Sequence, residues 1–433
     1  MLIKKPKIIS KEKFSPQINT LQAKFGLPQN IKFCSSCVYS NQKPLSAKEY
    51  DHKKKTKKNI VSFDKKNVCD ACNNVQLKNK IDWKEREYKL KKLCDKFRSR
   101  NGSYDCLVPG SGGKDSIFAS HILKNKYNMN PLTITFAPHI YTDWGWKNFN
   151  SWLNCGFDNY LFSPNKKVQR LLTRLALEKI FHPFQPFMMG QMYFPPKFAV
   201  YNNIKLIFYG ENPTDYGNKL STEKPYKDVD FFSYNGKKKD IFISGLNYDE
   251  LKSKFHLSEI DLEPYLPIHE TKIKNKIQVH YLGFYLEWHP QECYYYSVKN
   301  SNFEPSPERT VGTYSKYSSI DDKMDDLHYF TTFIKFGIGR ATYDGAQEVR
   351  CGDINREEAI ALVKKYDGEY PERFISELFE YLSIKKDDFE KQYKLFAQPN
   401  IDHKYFELLT DTFRSPHIWK WQKNQWKLRS TVF

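Results

Sequence analysis

Residues 104–116 read Tyr-Asp-Cys-Leu-Val-Pro-Gly-Ser-Gly-Gly-Lys-Asp-Ser. Cys106 to Val108 form a short apolar strand, glycines follow at once, and helical spacing begins near Asp115. A strand running through a glycine-rich loop into a helix builds an anion site. Gly110, Gly112 and Gly113 let the backbone turn tightly and come close to a ligand, and the free N–H groups of the helix start favour negative charge. Lys114 adds a mobile cation, and Ser111 and Ser116 add hydroxyl donors.

The spacing is not that of a Walker A loop, in which Ser or Thr follows Gly-Lys, because Asp115 follows Lys114. The hexapeptide Ser111–Ser116 resembles the PP-loop, Ser-Gly-Gly-x-Asp-Ser. That resemblance implies cleavage of ATP between its α and β phosphates, with pyrophosphate released and a carbonyl oxygen activated as an adenylate.

Downstream of the loop, Ile117, Phe118, Ile122 and Leu123 give Ser116–Lys124 an amphipathic helical pattern. Pro131–Ala137, Asn159–Phe162 and Leu206–Tyr209 are short apolar, β-rich runs, and Val168–Ile180 has helical spacing. Alternating strands and helices predict an α/β fold with a parallel, Rossmann-like sheet. Ligands of such sheets gather beyond the carboxyl ends of the strands. Gly210-Glu211-Asn212-Pro213 lies there, so Glu211 is a candidate to hold magnesium or orient an acceptor, with Asp115 as a second carboxylate and Asn212 beside it. Val279–Tyr285 is the expected fifth strand, which makes 213–276 an insertion over the site.

Upstream, Cys34-Ser-Ser-Cys37 and Cys69-Asp-Ala-Cys72 are two Cys-x-x-Cys pairs 31 residues apart. That spacing predicts a closed tetrahedral site for a structural Zn2+, with an iron-sulfur cluster as the alternative. The other cysteines, Cys94, Cys106, Cys155, Cys293 and Cys351, are scattered and read as packing residues. The net charge of +19 is concentrated here: residues 1–100 hold 26 Lys+Arg against 9 Asp+Glu, and the remainder is almost neutral. Lys53–Lys58, Lys-Lys-Lys-Thr-Lys-Lys, is the densest part and reads first as a solvated loop, second as a contact for RNA or an acidic partner.

In the last third, Lys335 and Arg340 flank a Gly-x-Gly turn and are candidates for the triphosphate or for an anionic group of the acceptor, against a plain surface position. Asp321, Asp322, Asp325 and Asp326 read first as a solvated helix face, with metal binding as the alternative. Arg356–Lys364 is a predicted helix. His182, Gln185 and Arg309 are candidate acceptor contacts, being polar residues among aromatics and prolines. The expected organisation is a basic segment 1–33, a four-cysteine zinc module 34–90, a PP-loop ATP-binding catalytic domain 91–300, and a mainly helical domain 301–433 that completes the acceptor site. No stretch approaches the ~20 apolar residues of a membrane span and the first residues lack the run of a secretory signal, so a cytoplasmic location is expected.

The two Cys pairs and the hexapeptide are followed by Ala137-Pro-His-Ile-Tyr-Thr142, His182-Pro-Phe-Gln-Pro186, Tyr209-Gly-Glu-Asn212 and Tyr314-Ser-Lys-Tyr-Ser-Ser-Ile-Asp-Asp322. As an ordered set, over roughly residues 30–385, they resemble the N-acetyl sugar amidotransferases of bacterial surface-glycan biosynthesis. The resemblance implies conversion of an acetamido group of a sugar, a nucleotide sugar or a nonulosonic acid such as pseudaminic or legionaminic acid, into an acetamidino group. It also implies ATP consumed to AMP and pyrophosphate with Mg2+, and ammonia from a glutaminase subunit, with a cyclase-like subunit bridging the two. On that reading Lys114, Asp115 and Glu211 are catalytic. A tRNA-modifying PP-loop enzyme that thiolates a base is the alternative, supported by the basic cysteine module. A non-catalytic nucleotide-binding protein is the third reading.

Overall fold

The computed structural model describes residues 5–18, 20–53, 55–218, 226–384 and 400–433. Lys54 of the lysine run, residues 219–225 of the expected insertion and residues 385–399 of the expected C-terminal domain lie outside the described residues.

Five parallel strands and one antiparallel edge strand form the central sheet, in the order β3-β2-β1-β4-β6-β5. They are β1 (Cys106–Pro109), β2 (Pro131–Phe136), β3 (Asn159–Phe162), β4 (Leu206–Tyr209), β5 (Tyr226–Lys227) and β6 (Gln278–Tyr281). Leu107 of β1 sits in register with Leu132 on one side and Ile207 on the other. All six residues of β2 are buried, as a strand covered by helices on both faces requires. The mixed α/β class with a parallel sheet is therefore as expected.

The run at 279–285 divides differently from its apolar pattern. β6 ends at Tyr281, and Leu282–Tyr285 forms a helical turn whose Gly283 N–H donates to the Gly210 carbonyl at 2.9 Å. Tyr226–Lys227, from the stretch read as an insertion, pairs antiparallel with β6 and closes that edge.

Before the sheet come α1 (Asp70–Lys78) and α2 (Trp83–Phe97); within it come α3 (Lys114–Asn125), α4 (Asp143–Leu153), α5 (Lys166–Ile180) and α6 (Gln185–Tyr201). The next helices are α7 (Pro290–Ser301), α8 (Met324–Phe336), α9 (Arg340–Cys351), α10 (Arg356–Tyr366), α11 (Ile375–Leu382) and α12 (His403–Phe413). A hairpin, β7 (Trp419–Gln422) with β8 (Gln425–Leu428), follows them. The predicted helix at 356–364 is α10, started by a reciprocal cap between Asn355 and Glu358. One apolar cluster gathers Phe14, Leu27, Leu171, Phe187, Leu327 and Phe406, so the first residues and the last helices share a core with the helices that flank the sheet. No described helix is long and apolar enough to cross a membrane.

Candidate active site

After β1 the chain leaves to build β2 and β3 on one side, and it returns to place β4 on the other. The crevice between the ends of β1 and β4 is the switch point at which such sheets take ligands. Gly110–Asp115 emerges from β1 there and Glu211 from β4. Two glycines are fixed by space: a Cβ on Gly110 would lie 2.2 Å from the Ser116 Cβ, and Gly112, at φ +88°, would bring one within 2.6 Å of the Phe149 Cα. Gly113 caps α3, so the first N–H groups of that helix face the crevice side.

Lys114 is buried, with its Nζ 2.6 Å from Asp115 Oδ2. Burial works against its charge, but the carboxylates of Asp115 and Glu211 outweigh that and raise its pKa above the ordinary lysine value. The Ser297 hydroxyl of α7 donates to the Lys114 carbonyl at 2.9 Å and braces the helix start. Burial, then the negative charge of Asp115, pushes the Glu211 carboxyl up to about 7, against the opposing pull of Lys114 and of the Tyr216 hydroxyl, which donates to it at 2.7 Å. Asp115 Oδ1 is buried with no hydrogen-bond partner among the described residues. An orphaned carboxylate oxygen beside a second, partly protonated carboxyl fits a hard divalent cation, which takes one or two carboxylates together with phosphate oxygens.

These residues line a cleft of about 300 Å3. Its opposite wall was not legible as such: Asp321, Asp322, Asp325, Asp344 and Glu348 face it, with Arg340. The reading of the 321–326 cluster as a solvated helix face is corrected, because Asp322, Asp325 and Asp326 are 3%, 6% and 2% exposed. The cause is long-range pairing. Tyr141 and Asp322 form an antiparallel bridge, the Thr142 N–H donates to the Asp321 carbonyl, and the Lys323 N–H donates to the Ile140 carbonyl. The Asp322 carboxylate accepts from the His139 ring at 2.7 Å and from the His139 and Met324 backbone N–H groups; despite burial, these hold it below the usual carboxylate range. Burial and neighbouring acids push Glu348 to about 7, although the Tyr314 hydroxyl donates to it at 2.7 Å.

Ser111, Gly112, Gly113, Lys114, Asp115, Glu211 and Arg340 are thus gathered at one cleft. The other expected site residues lie elsewhere. Ser116 turns its hydroxyl back to the Gly113 carbonyl at 2.9 Å. Asn212 caps the turn Pro213–Tyr216 by accepting from the Thr214 N–H. Gln185 is fully buried and satisfied by the Glu49 carbonyl and the Ser244 N–H. Arg309 is paired with Glu369, and neither it nor Gln185 lines a cavity that adjoins the cleft. His182 and Lys335 line a second cavity of about 340 Å3, which shares Tyr216, Arg340, Asp344 and Gln347 with the cleft.

The four cysteines Cys34, Cys37, Cys69 and Cys72 are buried together, every Sγ within 4.8 Å of the others. The Cys34–Cys72 and Cys37–Cys69 sulfur separations are 3.9 and 3.7 Å. Tetrahedral Zn–S bonds of about 2.3 Å place sulfurs roughly 3.8 Å apart, so the set fits a structural zinc. Backbone N–H groups of Ser36, Cys37 and Cys69 point at the Cys34 sulfur, as thiolates require. Arg350 of α9 lies 3.9 Å from the Cys37 sulfur, and Arg356 donates to the Cys37 and Cys34 carbonyls.

Comparison with known proteins adds two similarities. An uncharacterized protein of Methanocaldococcus jannaschii is 32% identical over 101 residues, 23% of this chain, and the match spans about a third (31%) of that relative's length. Residues 311–432, which supply the acidic wall and α9, match the family model described as LPS biosynthesis protein WbpG-like, C-terminal domain.

Proposed function

We propose that the protein is an ATP-dependent amidotransferase of glycan biosynthesis, converting the acetamido group of a sugar to an acetamidino group. The observation that carries the reading is the glycine loop with buried Lys114 between Asp115 and Glu211 at the β1/β4 crevice. The similarity of residues 311–432 to an LPS biosynthesis family supports the glycan setting.

An amide carbonyl resists ammonia because its oxygen is a poor leaving group. On this reading the acetamido oxygen attacks the α-phosphorus of ATP and pyrophosphate departs, leaving an imidate joined to AMP through that oxygen. Ammonia adds to the imidate carbon, a proton is lost from the new nitrogen, and AMP leaves carrying the oxygen. The N–H groups at the start of α3 and Lys114 hold the charge that builds on pyrophosphate, a role in which preorganised donors act most strongly in the transition state. Asp115 and Glu211 are the residues that would hold Mg2+, which supplies charge neutralisation on the phosphates. Ammonia reaches the site from a separate glutaminase subunit, with a cyclase-like subunit between them.

Incubation with ATP, Mg2+, ammonium and a panel of acetamido sugars labelled with 18O in the acetamido group tests this. One sugar should exchange oxygen for NH while the label appears in AMP. AMP formed without label, or no sugar changed while tRNA stimulates AMP formation, refutes it.

A further inference from the structure

The second cavity carries more positive than negative groups. Among the described residues, four cations line it, Lys43, Lys58, Lys335 and Arg340, against two carboxylates, Glu49 and Asp344. Asp344 pairs with Arg340 at 2.9 Å, whereas Glu49, 2.8 Å from His52 and 3.7 Å from His182, keeps an Oε2 that accepts no hydrogen bond among the described residues. The three ammonium groups have neutral partners instead. Lys335 Nζ donates to the Ile180 carbonyl, Lys43 Nζ to the Tyr216 carbonyl, each at 2.8 Å, and Lys58 Nζ meets the His52 ring. Lys43 is 2% and Lys335 6% exposed. Buried ammonium groups are ordinarily matched by an anion; here no described carboxylate stands within ion-pair distance of these three, and their nearest negative groups, Glu49 for Lys58 and Lys335 and the Cys37 and Cys69 sulfurs for Lys43, act from further off.

We propose that this cavity seats an anionic group of the acceptor, a phosphate or a carboxylate, with Lys58 and Lys335 as its principal cations. The inference rests on the amidotransferase reading for the identity of the ligand as an acceptor, and on the cavity alone for its charge. Tyr216 sets the geometry. Its hydroxyl bonds Glu211 in the cleft while its carbonyl is held by Lys43 in the second cavity, so a ligand anchored on the lysines passes Tyr216 and Gln347 to present its other end at Glu211. Burial and the nearby Lys58 hold the Lys335 pKa well below the ordinary lysine value; a bound anion would draw it back up. A cavity of about 340 Å3 matches the volume of a sugar ring with one charged substituent.

The test is calorimetric titration of the full, zinc-loaded chain, with the cleft saturated by Mg2+ and a non-hydrolysable ATP analogue. The probes are inorganic phosphate, UDP-N-acetylglucosamine, N-acetylneuraminic acid and neutral N-acetylglucosamine. At least one anionic probe should bind about tenfold or more tighter than the neutral sugar. Lys58→Met and Lys335→Met should each remove that advantage, Lys335→Arg should keep it, and binding of the ATP analogue should not change in any of them. Tight binding of the nucleotide sugar assigns the site to phosphate, and of the neuraminic acid to carboxylate. Anionic probes that bind no better than the neutral one, or methionine variants that bind them as wild type does, overturn the proposal. Lys114→Met separates the two readings, because loss of the ATP analogue there leaves the lysine-dependent anion binding to be read by itself.

Discussion

Glu211→Gln should make the folded protein more stable and the enzyme inactive, and the size of the first effect follows from the site. Burial and Asp115 raise the Glu211 carboxyl from an ordinary 4.5 to about 7. A carboxyl whose folded pKa is raised favours the folded state while protonated, so this contribution is complete below about 4.5, declines as pH rises through about 7, and is gone above it. The interval corresponds to roughly 3 kcal/mol at about 1.4 kcal/mol per pH unit. Glutamine carries no charge to bury and still accepts the Tyr216 hydroxyl. In denaturation without nucleotide or metal, the variant should match wild type near pH 4.5 and exceed it by up to roughly 3 kcal/mol at pH 8. AMP formation should fall by about a hundredfold or more. A variant no more stable at pH 8 than wild type, or one that retains turnover, would refute this account of Glu211.

Lys114→Met should keep the far-ultraviolet circular dichroism of the wild type and lose about 10²- to 10³-fold in AMP formation; near-normal turnover removes Lys114 from the mechanism. Gly112→Ala, at φ +88° and facing the Phe149 backbone, should weaken binding of an ATP analogue at least about tenfold, whereas Gly102→Ala, at φ +80° in open space, should cost only about 1 kcal/mol of stability and leave binding intact. Metal analysis should find zinc in one-to-one ratio with the chain, lost together with nucleotide binding in Cys37→Ser; iron with acid-labile sulfide would reassign the cluster.

The glycine loop and the cysteine pairs were legible because each is a local device. Glycines that a Cβ would block, and two knuckles of thiols, announce themselves within a few residues. Glu211 was legible one step further out, through the rule that parallel sheets take ligands where strand order reverses. What failed was partner assignment over long separations. Gln185 among prolines and aromatics looks like a ligand contact, yet the Ser244 N–H 59 residues later satisfies it. The 321–326 carboxylates have the polarity of a solvated face, and it is distant partners that bury them: residues 139–142 for Asp321 and Asp322, and Arg373 for Asp326. The run 279–285 is mostly apolar, and such a run does not distinguish a strand from the helical turn that ends it.

Helix α9 ties these parts into one device. Residues 340, 344, 347, 348 and 351 recur at three- and four-residue spacing, which sets Arg340, Asp344, Gln347, Glu348 and Cys351 along one face, and all five line the cleft. Arg340, Asp344 and Gln347 line the second cavity as well. On another face of the last turn, Arg350 lies against the Tyr39 ring and near the Cys37 sulfur. The helix is therefore clamped at its carboxyl end by the cysteine cluster, while its amino end divides the two cavities. Losing the metal would release the clamp. In the proposed reaction the four-cysteine module would thus act without touching a reacting atom, by fixing the rotation of the helix on which the Arg340–Asp344 pair stands.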